Sequence, residues 1–182
     1  MDQQIENQTI GELYLDSAIH RYTTMKQLGD KTLVQLSVED MLWSPNSECN
    51  SIALTIKHLR GNMLSRWTDT LTTDGEKSYR NRDGEFLFDT PPTKDEIVAL
   101  WEEGWECLLT AVGSFTADEL AKPIIIRSQE LALLDGINRQ MFHVSYHVGQ
   151  MVQLAKERLG ERWQTLSIAR GQSEQYIANA RD

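Results

Sequence analysis

The period of the apolar residues constrains this chain most: four long runs space them three and four positions apart, and no sustained run alternates every second residue. The first run spans about Thr9 to Leu36, with Leu13, Tyr14, Ala18, Met25, Leu28 and Leu36 largely in phase. Ser44-Pro45-Asn46-Ser47 then breaks the chain and offers cap chemistry for a second helix over about Ser47 to Leu71. Its stripe is Ile52, Ile56, Leu59, Met63 and Trp67. Thr93-Lys94-Asp95-Glu96 has the form of a capping box and opens a third helix, about Lys94 to Val112, carrying Ile97, Leu100, Trp101, Trp105 and Leu108. A second such box at Thr116 to Glu119 starts a single short turn. Ile124 to Arg127 is β-branched and extended in character, but one short strand makes no sheet. The fourth helix is expected from about Leu131 to Leu159, stopping at Gly160 where a C-terminal glycine belongs.

Four amphipathic helices bury their stripes most simply against one another, which predicts an all-α four-helix bundle. With 182 residues and 40% hydrophobic content, one domain over 1–182 is expected around one core. The short link between the first two helices favours antiparallel neighbours. Residues 72–92, with their Asp-Gly pairs and Pro91-Pro92, form a long aperiodic loop. At about 3.3 Å per extended residue such a loop can cross a full helix length of roughly 30 to 40 Å. Helices two and three are therefore expected to run parallel, in an up-down-down-up order. The tail, 160–182, is expected to pack along the bundle through Trp163, Leu166 and Ile168, and Trp67, Trp101 and Trp105 read as core or subunit contacts.

Several function classes are disfavoured. The N-terminus is polar and acidic, unlike a secretory leader, and no apolar stretch approaches the roughly 20 residues of a spanning helix, so a cytoplasmic protein without membrane contact is expected. A net charge of -9 repels phosphate backbones and argues against nucleic acid. Cys49 and Cys107 lie outside any Cys-x-x-Cys spacing and read as reduced, partly buried thiols. No Ser/His/Asp set, phosphate-binding glycine loop or dinucleotide fingerprint is present.

The histidines hold the chemistry. At about 100° per residue His58 lies roughly 140° from the centre of its helix's apolar stripe, on a face with Ser51, Thr55 and Asn62, and so off the core. His143 and His147 lie roughly 100° to 140° off the stripe of Ile137, Met141, Val144, Val148, Val152 and Ala155, near Gly136, Gln140, Gln150 and Leu154. One reading is a solvated flank. The other is ligation: imidazoles at i and i+4 stack with β-carbons about 6 Å apart and can converge on one ion. His58 could supply a third nitrogen, whereas His20 is flanked by Arg21 and lacks a paired histidine. Asn62, Gln140 and Gln150 are candidates to orient a histidine or contact a substrate, or are plain polar residues. The loop concentrates Asp74, Glu76, Lys77, Arg80, Arg82, Asp83 and Glu85. It reads either as a lid in which Arg80 or Arg82 grips a carboxylate or phosphate, or as a solvated loop pinned by its own ion pairs and anchored by Arg66 with Asp69. No general acid or base stands out.

Taken together, KHLRGNM around His58, SRWTDTLTTDGEKSYRNRDGEF after it, INRQMFHVSYHVGQMVQLAK and WQTLSIARGQS resemble the DinB/YfiT-like superfamily, and within it a branch of bacterial domains of unknown function. The likeness runs from the first helix to Ser173, and Ser65 to Asp69 and Thr72 to Lys77 are specific to the branch. Ala169 stands where that branch is expected to carry proline. The resemblance implies a bundle with a long second crossover, a homodimer, and a divalent ion, zinc or nickel, held by His58, His143 and His147. Some relatives are thiol-dependent S-transferases or isomerases that activate a small thiol such as bacillithiol or mycothiol. Metal-assisted transfer of a small thiol, or a related small-molecule reaction, is thus the expected function, with a metal-dependent hydrolase and a non-enzymatic dimeric interaction protein as alternatives.

Overall fold

The structure is a computed structural model in which residues 8–179 are described. Three of its four long helices begin where a side chain absorbs a free N–H group of the first turn, and the last, which follows Ala132, begins without a side-chain cap. Helix α1 (Ile10–Val34) is capped by a reciprocal box between Thr9 and Glu12, and the short α2 (Val38–Leu42) by one between Ser37 and Asp40. Helix α3 (Ile52–Trp67) starts at Ser51, and α4 (Lys94–Ser114) at the Thr93–Glu96 box. A hairpin of β1 (Pro123–Ile126) and β2 (Gln129–Ala132) precedes α5 (Leu133–Leu159), which ends at Gly160 with φ 55. A short α6 (Ser173–Asn179) lies in the tail.

Four expected boundaries move. The first helix stops at Val34 and α2 follows as a separate piece. The second begins at Ile52 because Ser44 to Ser47 stays a turn, with Glu48 N–H donating to Asn46 Oδ1, and it ends at Trp67 because Asp69 turns the chain with φ 50. The isoleucine strand does find a partner: Gln129 to Ala132, read in part as helix, pairs antiparallel with it, Ile124 opposite Leu131. Two residues with positive φ, Arg127 and Ser128, form the tight turn between them. Neither is glycine, and their N–H groups are each held by a carboxylate oxygen of Asp74 at 2.8 Å. The long loop thereby fastens the hairpin tip, and Gly75 N–H bonds Ile125 O beside it.

The closest helix pairings are α3 with α4 and α1 with α5, and α1 also meets α4 while α3 meets α5. The first and second long helices are thus not the close antiparallel pair their short link implied; α2 spans between them and packs on α3 and α5. Contacts advance in the same sense along α3 and α4, from Arg60–Glu103 to Thr68–Cys107, where Gly104 lets the Arg60 backbone approach. They advance oppositely along α1 and α4, from Lys26–Glu102 to Leu36–Lys94.

The core is filled largely by the expected stripes of α3, α4 and α5, with Trp67, Trp101 and Trp105 all buried; on α1 the buried line is Leu15, Ala18, Tyr22 and Leu33, whereas the expected Tyr14, Met25 and Leu28 are only partly buried. Trp101 lies flat on Gly29, where a β-carbon would collide with its indole, and its N–H donates to Asp30 at 2.7 Å. Helix α3 is buried on a second face as well: Ser51, Thr55, His58, Asn62 and Ser65 are all inside. The crossover between Thr68 and Thr93 folds back over that face instead of standing in solvent. Ser65 Oγ donates to Gly75 O and accepts from Lys77 N–H, and Lys57 Nζ donates to Leu87 O. The expected Arg66–Asp69 anchor is absent among the described ion pairs.

In the tail, Trp163 packs half-buried on the core and Gln164 exchanges two hydrogen bonds with Gln35, but Ile168 is exposed and makes no packing anchor. Residues 180–182 of the expected tail lie outside the described residues. Cys49 is exposed, not partly buried, while Cys107 is half-buried. Among the described residues no helix is long and apolar enough to cross a membrane. Replacing Trp101 with alanine is expected to cost about 3–5 kcal/mol of unfolding free energy, from a cavity against Gly29 and a lost hydrogen bond, as read from urea denaturation.

Candidate metal centre

Helices α3 and α5 bring the three histidines together. His58 and His143 place their Nε2 atoms 3.2 Å apart, and ligand atoms of His58, His143 and His147 all lie within 4.8 Å of one another. His143 and His147, one turn apart on α5, have ring centroids 4.6 Å apart. His58 is only 5% exposed, which corrects its expected place off the core. Helical phase puts it opposite the apolar stripe, as read, but the crossover covers that side.

Two of the three rings are held by what their outer nitrogens meet. His58 Nδ1 is 2.8 Å from Glu85 Oε2, so its N–H donates there and leaves Nε2 bare toward its neighbours. His147 Nδ1 donates to Gln150 Oε1 at 2.9 Å, and the Gln150 amide donates in turn to Tyr146 Oη. Two of three lone pairs are thereby aimed inward. His143 Nδ1 is buried without a protein partner. Glu85 is clamped from its other side by Arg80, whose Nε and Nη2 donate at 2.7 and 3.0 Å. Phe86 stacks on the His58 ring at 5.0 Å. Gly61 makes room for this arrangement, because a β-carbon there would run into the Glu85 carboxylate.

Burial alone would raise the Glu85 carboxyl, but the hydrogen bond from His58 and the Arg80 guanidinium outweigh it and hold it below its usual value. His143 moves the other way for a base: burial first, then His147, His58, Arg66 and Arg80, pull it from 6.5 down to about 3. His147 is lowered by burial and by His58 against a smaller opposing effect of Gln150. Neutral imidazoles are the form that ligates. The spacing also fits one ion, since nitrogens each about 2.05 Å from a tetrahedral centre stand roughly 3.3 Å apart. Among the described residues the cluster contains three histidines and no fourth ligand.

A cavity of about 220 Å³ opens beside His58 and His143. Asn62 and Gln140 line it, and each is almost fully buried with an unpartnered atom, Asn62 Oδ1 and Gln140 Nε2. Gln150 lies outside the cavity lining and instead holds His147. Arg82 stands exposed at the cavity. Arg80 also lines it but is not a free clamp, being committed to Glu85 and, at 3.5 Å, to Glu76. Sequence reasoning missed Glu85 as the partner of His58, Arg66 and Arg139 as cavity residues, and Arg127 at the hairpin tip. A signal for two of these was present: Arg66 follows Asn62 by four residues, and Arg139 precedes His143 by four. Glu85 had none, because its position comes from the fold of an aperiodic loop.

Glu85→Gln and Gly61→Ala are each expected to weaken divalent-metal affinity about 10- to 100-fold in a chelator-competition titration, with helical content unchanged; unaltered affinity in both removes Glu85 from the site. The pH dependence has a definite sign. His143 has a folded value below its unfolded one, so it contributes stability above about pH 6.5 that is lost as pH falls toward 3. Glu85, also lowered, adds a loss once pH drops through the carboxylate range. In metal-free protein the melting temperature should therefore fall steadily below pH 6.5, and His143→Ala should flatten the upper part of that slope.

Comparison with curated proteins finds no match to the sequence. The family DUF1572, described as a protein of unknown function, matches residues 9–172, from the Thr9 cap through all three histidines and the tail's Trp163. The chain is therefore a member of the DUF1572 family.

Proposed function

We propose that this protein is a metal-dependent enzyme acting on a small molecule, built on an up-down-down-up bundle of the DinB/YfiT-like kind. The observation that carries the reading is the histidine triad itself: His58 and His147 have their outer nitrogens tied to Glu85 and Gln150, and three imidazoles converge beside a cavity. Three protein ligands leave coordination open, as catalytic sites do and closed structural sites do not. A divalent ion, zinc or nickel, would supply a Lewis acid that lowers the pKa of a thiol or of water. Glu85 keeps the His58 ring fixed, and Asn62 and Gln140 offer an unpartnered acceptor and donor to orient what enters.

No carboxylate lines the cavity among the described residues, Glu85 being spent on His58 and Arg80. A reaction with little need of a strong base is favoured on that ground. A thiol, with an ordinary pKa near 8.5, meets that condition better than water, so transfer of a small thiol ranks above hydrolysis. A second reading, a dimeric interaction protein, draws on Phe142 and Tyr146, two exposed aromatics one turn apart on α5 beside the triad.

Protein purified without a histidine tag is expected to carry about one divalent ion per chain by elemental analysis, falling to background in His143→Ala. Equal and negligible metal in both would end the metal reading. The metal-loaded protein, screened with small thiols and electrophilic acceptors, should consume thiol at a rate lost with the metal; a silent screen with full metal occupancy favours the interaction protein.

A further inference from the structure

The cavity beside the triad has an electrical character opposite to that of the chain. The protein carries 27 acidic against 18 basic residues, yet five arginines and no carboxylate line this cavity. Two of the five are neutralised: Arg80 by Glu85 and Glu76, and Arg127 by Glu76 at 3.0 Å. Arg66, Arg82 and Arg139 have no ion-pair partner among the described residues. Arg66 Nη1 is moreover buried without a hydrogen bond.

Their placement is a consequence of helical spacing. On α3 the series His58, Asn62, Arg66 advances by four residues, and on α5 the series Arg139, His143, His147 does the same. The two helices run oppositely here, since Arg66 and Arg139 share the cavity end while Thr55 borders a groove with Gln150 and Leu154. Arg66 is therefore beside Arg139, one turn of α5, or about 6 Å of rise, beyond His143. Burial, and then Arg139, Arg80 and Arg127, pull the Arg66 guanidinium down to about 10 against a smaller opposing effect of Glu76, and it is still protonated at neutral pH. Gathered like charges with few partners cost stability unless something negative joins them.

The geometry points to an oxyanion subsite: half-buried Arg66, with exposed Arg139 and Arg82 at the rim, binds a carboxylate or phosphate group of the substrate about one helical turn from the histidines. Asn62 and Gln140, buried to 4% and 2% exposure, line the same space between the two ends, and each has a side-chain atom without a hydrogen bond. Phe142, 78% exposed, gives an apolar wall for the body of the molecule. Guanidinium forks match such groups in a bidentate way. The cavity's 220 Å³ is below the roughly 300–1,000 Å³ of drug-sized sites, so the occupant is a small anion or the anionic head of a longer molecule. This assignment rests on the proposed function only for where the reaction takes place; anion binding itself requires no metal.

The test therefore uses the full chain freed of metal and chelator, titrated at low ionic strength with inorganic phosphate and, separately, with succinate. At least one is expected to bind with a Kd on the order of 1 mM or tighter and to raise the melting temperature. The arm that binds more tightly says whether phosphate or carboxylate is preferred. Arg66→Gln combined with Arg139→Gln should weaken that binding about tenfold or more, while Arg21→Gln, on an exposed face of α1, should leave it unchanged. Arg66→Gln alone is expected to raise the melting temperature of the ligand-free protein, which an arginine serving only the fold would not do. Absence of binding by both anions at about 10 mM, or equal binding by the double variant, overturns the proposal. Metal content measured separately, on the protein as purified and before stripping, keeps the two readings apart: as-purified protein without metal, whose stripped form still binds anion through Arg66 and Arg139, refutes only the metal site.

Discussion

The Glu85 carboxylate, buried between His58 and Arg80, is the interaction on which the site depends. A buried charge is tolerated only when paired and fully hydrogen-bonded, and here both partners are themselves largely withdrawn from water. Glu85 reaches this place because the crossover lies on α3 and because Gly61 has no side chain to block it. Removing Glu85 takes away the partner of both His58 Nδ1 and the Arg80 fork. Arg80 is held further by Glu76, which also pairs with Arg127 at the hairpin tip, so the triad, crossover and hairpin form one connected network.

That network explains why a packed helix can be polar on a buried face. Helix α3 turns Ile52, Ile56, Leu59 and Met63 toward the core and Ser51, Thr55, His58, Asn62 and Ser65 toward the crossover and α5. Ser65 and His58 find partners in the loop, at Gly75, Lys77 and Glu85. Asn62 does not, and neither does Gln140 across from it on α5. Buried polar atoms that the fold leaves without partners concentrate at the cavity. On the proposed reading, the stability forgone there is the cost of a preorganised binding site, where groups wait for a ligand instead of satisfying one another.

Much of this was legible beforehand. The long stripes located α1, α3, α4 and α5, Thr93–Glu96 gave a true cap, and the tryptophans proved to be core. The spacing of His143 and His147 on one helix, joined to His58, named the triad that converges. Local rules misplaced what competes locally: Ser47 and Ser51 are both plausible caps, and only packing of Ile52 and Ala53 in the core selects the latter. Gln129 to Ala132 has no strong strand propensity, and becomes a strand because Ile124 to Ile126 offers an edge and Asp74, far off in sequence, secures the turn.

The sequence by itself determined the helices, their apolar faces and which residues share a turn, because those depend on spacing within a few residues. It thereby set the two ladders, His58-Asn62-Arg66 and Arg139-His143-His147, before any tertiary contact is considered. The tertiary structure decided what faces them. Antiparallel placement of α3 and α5 sets histidine beside histidine and arginine beside arginine, and the aperiodic crossover buries His58 and delivers Glu85 to it. The path of such a loop is fixed by long-range hydrogen bonds and ion pairs, for which no local pattern exists to be read.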